Sequence, residues 1–359
     1  MSRPSDWAYL AEADGDAFGR PKRRSRPRTK DRPDYSDAAV ARVLTVDRGR
    51  YRCRLDDVDL TATKARQLGR KGVIVGDLVR VVGDTSGTEG SLARIVEVLP
   101  RRTELRRTAD DDDPLERPVV ANADQLMIVT ALADPPPRVG MIDRILVAAY
   151  DAGIEPILCL TKSDLASADE LIANYAPLDV PVVVTEPGSD LDPVSELLTD
   201  HVTVLVGHSG VGKSTLVNAL CPDADRATGH VNDVTGRGRH TSTSALGLRL
   251  PPLPPSHDRE DVRAQEAEPV DPDAAGWIID TPGIRSFGLA HVEPDRIIGH
   301  FPELAEGADE GCPRGCTHDE PDCALDAWVA AGHAGPGGEQ RLDSLRRLLR
   351  ARSGESDER

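Results

Sequence analysis

The pattern of apolar and polar positions changes character after residue 108. Residues 37–108 contain short apolar runs, such as VARVLTV and VGDLVRVV, which Asp and Gly turn signals separate. Short strands at this spacing, without a clear helical period, are typical of a small barrel. We therefore predict an OB-fold β-barrel over residues 37–108.

From residue 117 onwards, apolar runs alternate with helical patterns. QLMIVTAL, PILCLT, VTVLVG and WIID have the length of buried strands, and MIDRILVAAYDAG has the period of a helix. Strands that alternate with helices indicate a parallel sheet covered on both faces. We predict a central α/β domain over 117–290 and a small α-helical segment over 291–350, which ends in the amphipathic stretch RLDSLRRLLRAR.

Two stretches lack any such period. Residues 1–36 are polar and rich in Pro and Arg, and residues 251–275 are Pro-rich and acidic. Low apolar content is typical of disordered segments, so we predict a disordered basic tail and a disordered acidic insertion. Residues 20–32 of the tail hold eight basic side chains and one acidic side chain, a local charge of +7.

Composition narrows the class of protein. The 359 residues are 39% hydrophobic and 29% charged, which is a globular composition. No apolar run reaches the ~18 residues of a membrane span, the amino terminus lacks the apolar core of a signal peptide, and six cysteines do not make a disulfide scaffold. These features predict a cytoplasmic protein that does not contact a membrane. The formal net charge of −17 repels nucleic acid, so any RNA contact has to use local basic patches.

The stretch GHSGVGKST matches the phosphate-loop pattern G-x-x-x-x-G-K-[ST] and lies between a predicted strand and a predicted helix. Backbone N–H groups of such a loop approach phosphate oxygens, and the dipole of the following helix adds to the attraction. Lys213 is expected to reach the β- and γ-phosphates, and Ser214 to bind Mg²⁺. The predicted nucleotide contacts in this loop are Gly207, His208, Ser209, Gly210, Val211, Gly212, Lys213, Ser214 and Thr215.

Two further motifs follow the phosphate loop. Asp280 ends the apolar run WIID, and a phosphate loop needs a carboxylate at the end of a neighbouring strand for its Mg²⁺. Gly283, in the same DTPG turn, leaves a backbone N–H free to meet the γ-phosphate. GRGRHTSTSA, residues 236–245, is rich in glycine and hydroxyl groups, which is typical of a switch that closes on Mg²⁺. Thr241 and Thr243 are both candidates for that contact, and their spacing does not choose between them.

The motif TKSD follows the apolar run PILCL and precedes the phosphate loop in the chain. The carboxylate of Asp164 can accept from guanine N1–H and N2–H₂ together, whereas adenine does not offer that pair of donors. The stem of Lys162 is expected to lie along the base. We predict Thr161, Lys162, Ser163 and Asp164 as the guanine site, and GTP or GDP with Mg²⁺ as the cofactors.

The carboxyl-terminal segment contains a cluster of metal ligands, Cys312-x3-Cys316-x-His318-x4-Cys323. Three thiolates and one imidazole form the Cys₃His set of a tetrahedral zinc site. Four protein ligands leave no open position, which predicts one structural Zn²⁺. Buried free cysteines are the alternative, but the neighbours of these positions are Pro, Arg, Gly and Asp rather than apolar residues.

Together the motifs resemble those of the translation-factor class of GTPases, in an unusual order. TKSD comes before GHSGVGKST, the switch and DTPG, whereas the guanine signature usually comes last, so the chain resembles a circularly permuted GTPase. The barrel in front, the Cys/His segment behind and the stretches GRGRHTST and NADQLMIV resemble the bacterial ribosome small-subunit-dependent GTPase A family over residues 37–330. This resemblance implies a P-loop GTPase whose partner is the small ribosomal subunit and its rRNA during late assembly. A monomer is the default expectation.

The chain also departs from common GTPase patterns. Ile284 stands where a Ras-like enzyme carries the glutamine that positions water, and an apolar side chain cannot orient water. His240 is the candidate for that role once a partner orders the switch, so turnover is expected to be slow alone and stimulated by the partner. Thr161 replaces a common Asn and is expected to weaken the bond that braces the base site. VTEPGSD, residues 184–190, lacks the usual Ser-Ala pair, and no residue is assigned there.

Three other functions remain open from the sequence. The first is a P-loop ATPase or small-molecule kinase, which competition between GTP and ATP would distinguish. The second is an RNA-binding zinc protein with a passive nucleotide pocket, which would release no phosphate when ribosomal subunits are added. The third is a permuted GTPase that acts on the large ribosomal subunit.

Overall fold

The computed structural model describes residues 34–69, 72–108, 116–222, 245–251, 276–281, 289 and 292–353. Met1–Asp37 and Ala38–Arg359 are two separate units, and all the elements below belong to the second unit. Nearly all of the predicted tail, the insertion after residue 251 and the switch before residue 245 lie outside the described residues.

The amino-terminal strands close into a barrel with the order β1-β2-β3-β5-β4. β3 pairs with β5 in parallel, and β4 completes the closure by pairing with both β1 and β5. Alternate apolar side chains, among them Val43, Cys53 and Ile95, fill the interior. The predicted barrel is therefore confirmed. Its strands are β1 (Ala39–Asp47), β2 (Arg50–Leu55), β3 (Val58–Lys64), β4 (Leu78–Gly83) and β5 (Ala93–Val98).

An antiparallel two-stranded ribbon follows the barrel. It consists of β6 (Glu104–Thr108) and β7 (Glu116–Ala121), so the predicted domain limits at residues 108 and 117 fall on paired strands. Leu105 is buried in the core of the α/β domain. The Asn122 side chain donates to the Gly76 carbonyl oxygen at 3.0 Å and accepts from the Arg102 backbone N–H at 2.8 Å. The ribbon thus joins the barrel loop before β4 to the α/β domain.

The central sheet has the strand order β10-β9-β8-β11-β13-β12. β12 is antiparallel to β13, and the other pairs are parallel. β8 and β11 are buried along their whole length, as expected for strands covered on both faces, and the predicted α/β fold is confirmed. The strands are β8 (Gln125–Ala131), β9 (Glu155–Thr161), β10 (Val182–Val184), β11 (Val202–Val206), β12 (Leu246–Arg249) and β13 (Trp277–Asp280).

Helices cover the sheet and form the carboxyl-terminal segment. α8 buries the predicted apolar face of Leu342, Leu345, Leu348 and Leu349 and packs against α1. The helices are α1 (Val139–Ala152), α2 (Asp169–Tyr175), α3 (Asp192–Leu198), α4 (Lys213–Leu220), α5 (Pro294–Ile298), α6 (Pro302–Gly311), α7 (Ala324–Ala330) and α8 (Gly338–Ser353), and short 3₁₀ helices span Arg66–Leu68 and Ala176–Leu178. Among the described residues, no helix combines the length and the apolar character that a membrane crossing requires.

A buried ionic group holds α8 to α1. Arg347 Nε lies 3.0 Å from Asp143 Oδ2, and the Arg347 guanidinium lies 4.9 Å from the centre of the Tyr175 ring. The Tyr175 hydroxyl donates to Asp143 Oδ1 at 3.0 Å. Burial raises the pKa of Asp143 to about 6, although Arg347 opposes that rise. The carboxyl-terminal segment is therefore tied to the helix that follows β8.

Candidate nucleotide site and metal centre

The phosphate loop connects the end of β11 to the start of α4, as the sequence predicts. Gly210 and Gly212 have φ values of +85° and +91°, which glycine adopts without strain. A Cβ on Gly207 would lie 2.4 Å from the carbonyl oxygen of Val129, so the loop passes β8 at a distance that only glycine allows. These three glycines keep the loop backbone close to the sheet edge, where phosphate oxygens can reach its N–H groups.

Of the other predicted side chains of the loop, Val211 is buried in the core, whereas the hydroxyl residues are exposed. Ser214 and Thr215 are exposed on the first turn of α4. His208 Nδ1 lies 2.9 Å from the carbonyl oxygen of Ser209, so its imidazole is engaged with the loop itself. The hydroxyls of Ser214 and Thr215 are not needed for packing, so both remain available to a bound cation.

The lysine of the phosphate loop meets the carboxylate at the end of β13. Lys213 Nζ contacts Asp280 Oδ1, and both side chains are largely buried. Their meeting follows from the sheet, because Asp280 is the parallel partner of Leu205, the residue two before the loop. The two residues that the sequence predicts to hold phosphate and Mg²⁺ therefore lie in one site.

Thr281 anchors this arrangement, although it is not among the site residues predicted from the sequence. Its hydroxyl donates to the Leu205 carbonyl oxygen at 2.6 Å, and the residue is buried. The bond ties the residue after Asp280 to the strand that enters the phosphate loop. A small hydroxyl residue that directly follows a strand-ending aspartate is the signal that marks such an anchor.

Thr161 joins the guanine motif to the phosphate loop. Its hydroxyl lies 2.6 Å from the carbonyl oxygen of Val211 and 3.3 Å from that of Thr130, and the residue is buried. From the sequence, this threonine is expected to weaken a brace of the base site. The structure shows a short hydrogen bond from its hydroxyl to the backbone of the phosphate loop.

The rest of the TKSD loop is held from two directions. Lys162 adopts a positive φ of +61°, and its Nζ contacts the carbonyl oxygen of Asp134. Ser163 donates its backbone N–H to the Thr185 carbonyl oxygen at 3.3 Å and its hydroxyl to Glu186 Oε2 at 3.1 Å. Asp164 is exposed at the tip of the loop. The segment after β10, where the sequence assigns no site residue, thus contacts the TKSD loop.

Four predicted residues of the switch and the DTPG turn lie outside the part of the chain that the structure describes. They are His240, Thr241, Thr243 and Gly283.

The four predicted zinc ligands come together in the carboxyl-terminal segment. Ligand atoms of Cys312, Cys316, His318 and Cys323 all lie within 4.8 Å of one another. The Cys312 and Cys323 sulfurs are 3.8 Å apart, which matches the ~3.8 Å between two sulfurs placed ~2.3 Å from one tetrahedral Zn²⁺. All three cysteines are free thiols. The donor set and its spacing fit a closed, four-coordinate zinc site.

The protonation states of these ligands make metal binding depend on pH. Burial lowers the pKa of the His318 imidazole, which favours the neutral form that ligates a metal. Burial raises the pKa of the Cys312, Cys316 and Cys323 thiols, so a metal has to displace their protons. Metal affinity should therefore fall as the pH falls.

Charged neighbours hold the ligand loop in shape. Glu320 accepts a hydrogen bond from the Thr317 backbone N–H at 3.0 Å. This bond is the main cause that lowers the pKa of Glu320 to about 2. Arg346 of α8 donates to the His318 carbonyl oxygen at 3.0 Å and forms a two-pronged pair with Asp326 at 2.7 and 2.8 Å. α8 therefore supports the metal loop directly.

Comparison with known proteins places these features in a family. The profile of the family described as RsgA GTPase matches residues 98–252. The chain is 38% identical over 273 residues to the small ribosomal subunit biogenesis GTPase RsgA of Pseudomonas aeruginosa, a match that covers 74% of this chain and 72% of that protein. The chain belongs to the RsgA family. It is accordingly a GTP hydrolase, and its enzyme class agrees with the phosphate-loop geometry.

Further comparisons agree with RsgA membership. The RsgA of Azotobacter vinelandii is 37% identical over 286 residues, which cover 77% of this chain and 74% of that protein. Two solved structures share the fold: YjeQ from Thermotoga maritima, with a TM-score of 0.59, 24% identity and coverage of 87% of this chain and 98% of that one, and YloQ, described as a circularly permuted GTPase, with a TM-score of 0.58, 21% identity and coverage of 90% and 98%. The permuted fold expected from the motif order is confirmed.

A second profile overlaps the first. The family described as 50S ribosome-binding GTPase matches residues 202–309, which begin at β11 and include the phosphate loop and Asp280. This stretch excludes the barrel and TKSD. The match therefore covers the phosphate-binding part of the chain and not the guanine motif.

Proposed function

We propose that this RsgA-family GTPase acts on the small ribosomal subunit during its late maturation, and that the subunit stimulates its turnover. The bond between the Thr161 hydroxyl and the Val211 carbonyl carries the nucleotide half of the proposal, because it joins the guanine motif to the phosphate loop. The names of the RsgA relatives support the choice of the small subunit.

The site residues divide the binding of Mg²⁺–GTP among themselves. Lys213 holds the β- and γ-phosphates, Ser214 and Asp280 hold Mg²⁺, and Asp164 reads the guanine edge. Lys213 and Asp280 neutralise each other in one pair, and Mg²⁺–GTP offers each of them a new partner of opposite charge. When bound, Mg²⁺ neutralises charge on the phosphate oxygens during transfer. His240 is the proposed group that positions the attacking water.

The zinc ligands have a structural role in this proposal. Cys312, Cys316, His318 and Cys323 would hold one Zn²⁺ without an open position. The segment around them has few apolar side chains, so a metal supplies stability that its core does not.

Two exposed arginines share one face of the barrel. Arg50 of β2 and Arg94 of β5 are both register partners of Thr63 on β3, and both arginines are exposed. Partners in register point to the same face, so their guanidinium groups lie on one surface. Arginines placed in this way can contact successive phosphates of rRNA despite the acidic net charge.

We further propose that the protein is a cytoplasmic monomer.

Co-sedimentation with separated ribosomal subunits tests the proposal. The chain should pellet with small subunits in the presence of a non-hydrolysable GTP analogue, and small subunits should increase phosphate release from GTP. Preferential pelleting with large subunits would favour the alternative that the second family profile raises. Binding to small subunits without phosphate release would indicate a passive pocket, and equal use of ATP would indicate an ATPase.

A further inference from the structure

A bulge in the barrel turns one of its side chains towards the α/β sheet. The register between β1 and β2 shifts between Val43 and Thr45, so Leu44 is the extra residue. Val43 belongs to the barrel core, whereas Leu44 is buried, 6% exposed, in the core of the α/β domain. Two consecutive residues of one strand therefore serve two different cores.

Leu44 lies directly against Gly247 of β12. A Cβ on Gly247 would lie 3.3 Å from Leu44 Cδ2 and 3.4 Å from Leu44 Cα, so the absence of a side chain allows the close approach. The φ of Gly247 is not in the left-handed region, and backbone conformation does not require glycine there. The contact with Leu44 is thus the reason for glycine that the structure shows.

Two polar contacts flank this apolar one. Arg249 donates to Asp57 Oδ1 at 2.6 Å, which links β12 to the turn between β2 and β3. The Arg42 guanidinium lies 6.0 Å from the centre of the Trp277 ring on β13. The barrel therefore packs on β12, which stands at the edge of the described sheet, and on its neighbour β13.

β12 leads from this contact to Asp280, the carboxylate that is proposed to bind Mg²⁺. Leu246 is the register partner of Asp280, and Gly247 is the partner of Ile279. β13 lies between β12 and β11, so any displacement of β12 acts on the strand that ends in Asp280. Asp280 is also the contact of Lys213.

We propose that Leu44 is a positioning residue for Asp280. By packing on Gly247, it holds β12 and the end of β13 where the carboxylate can bind Mg²⁺ together with the nucleotide. This inference rests on the proposed role of Asp280. It gives the barrel a part in the nucleotide site in addition to any contact with RNA.

The test measures the Mg²⁺ dependence of binding of a fluorescent GTP analogue to the full chain. Leu44→Ala should raise the Mg²⁺ concentration for half-maximal binding by about three- to tenfold and leave binding in EDTA unchanged. Leu44→Met should restore the wild-type value. Hydrogen exchange of residues 246–249 should be faster in Leu44→Ala than in the wild type.

Val43→Ala is the matched control, because it shortens the neighbouring side chain inside the barrel without touching β12. It should lower stability and leave the Mg²⁺ dependence and the exchange of β12 unchanged. Equal shifts in Leu44→Ala and Val43→Ala, or no shift in Leu44→Ala, would overturn the inference. Gly247→Val, which adds volume against Leu44, should shift the Mg²⁺ dependence in the same direction and replaces Leu44→Ala if that variant does not fold.

Asp280→Asn separates this inference from the proposed function. If Asp280→Asn shifts the Mg²⁺ dependence and both Leu44→Ala and Gly247→Val do not, the coupling is refuted and the role of Asp280 stands. If Asp280→Asn causes no shift, the role of Asp280 fails, and the inference fails with it.

Discussion

Two threonine hydroxyls tie the strand ends of the nucleotide site to neighbouring backbone. Thr161 bonds the Val211 carbonyl at 2.6 Å, and Thr281 bonds the Leu205 carbonyl at 2.6 Å. Both residues are buried, so an unmade bond would leave a carbonyl oxygen away from water. At the scale of residues, the geometry of the site therefore depends on uncharged groups as well as on Lys213 and Asp280.

Thr161→Val tests the first of these bonds. The variant keeps the shape of the side chain but removes the donor to Val211, so we expect a loss of about 1–3 kcal/mol in the free energy of unfolding and weaker GTP binding. Urea unfolding and nucleotide titration measure the two effects. Thr161→Ser keeps the hydroxyl and should retain most GTP affinity; an equal loss in both variants would contradict a role for the hydrogen bond.

The buried Asp143 predicts a pH dependence of stability. Its pKa is about 6 in the folded chain against about 4 in an unfolded chain, so the folded state holds the proton more tightly. This contribution is fully present below about pH 4 and is lost as the pH rises through about 6. The free energy of unfolding of the wild type minus that of Asp143→Asn, which does not titrate at this position, should therefore fall as the pH rises over this interval. Chemical unfolding of both proteins at several pH values checks it, and a constant difference would contradict the raised pKa.

At the scale of elements, α8 is joined to three other helices by arginines that are already paired with carboxylates. Arg347 meets Asp143 of α1, Arg346 meets Asp326 of α7, and Arg341 contacts Glu303 of α6. An arginine-rich helix could be taken for an RNA-binding surface, but these guanidinium groups face protein carboxylates. The helix thereby joins the metal segment to the α/β domain.

Arg346→Gln should loosen the metal loop. The variant loses the bond to the His318 carbonyl and the pair with Asp326, and removal of such outer-sphere partners typically weakens metal binding by about tenfold or more. Transfer of zinc to a colorimetric chelator measures the loss. Arg350→Gln removes a more exposed pair with Asp319 and should release zinc at a rate closer to the wild type. Equal rates of zinc release from the wild type and from Arg346→Gln would refute the role of Arg346 in holding the metal loop.

Gly76→Ala should weaken the junction between the barrel and the ribbon. Gly76 has a φ of +86°, and its Cβ would lie 2.0 Å from the Ala121 carbonyl oxygen. Gly90 has a φ of +83° with nothing within 4 Å, so Gly90→Ala carries only the backbone strain of about 1 kcal/mol. Thermal unfolding should show a clearly larger loss for Gly76→Ala, and equal losses would mean that the junction can shift to admit the methyl group.

At the scale of the whole molecule, charge is distributed unevenly. The chain carries −17 overall, yet Arg50 and Arg94 lie exposed on one face of the barrel. Long-range repulsion from an acidic body opposes binding to nucleic acid, and close contacts with phosphates can outweigh it. The proposed contact with rRNA should therefore be sensitive to salt and should use local basic surfaces such as this pair of arginines.

Arg50→Ala and Arg94→Ala test this surface. Each change should weaken binding to small subunits and reduce the slope of log affinity against log salt by about one. Arg296→Ala removes an exposed arginine from α5 and is the charge-matched control, with an expected slope like the wild type. Unchanged slopes in both barrel variants would place the RNA contact elsewhere.

Local sequence patterns are sufficient to predict the elements and the chemistry carried by short spacings. The barrel, the α/β sheet, the phosphate loop and the Cys₃His set each follow from local patterns, because a turn, a strand period or a ligand spacing is encoded within a few residues. The order of the motifs along the chain also determined the permutation.

The contacts between these parts are visible only in the folded chain. The Thr161 hydroxyl bonds Val211, which is 50 residues further along the chain. The ribbon of β6 and β7 pairs residues on both sides of the expected domain limits. A bulge places Leu44 of the barrel on β12. No local pattern encodes such contacts, because they depend on strand order, register and the hand of the connections. The physical reason is that packing joins residues by their distance in space, while periodicity reports only their distance along the chain.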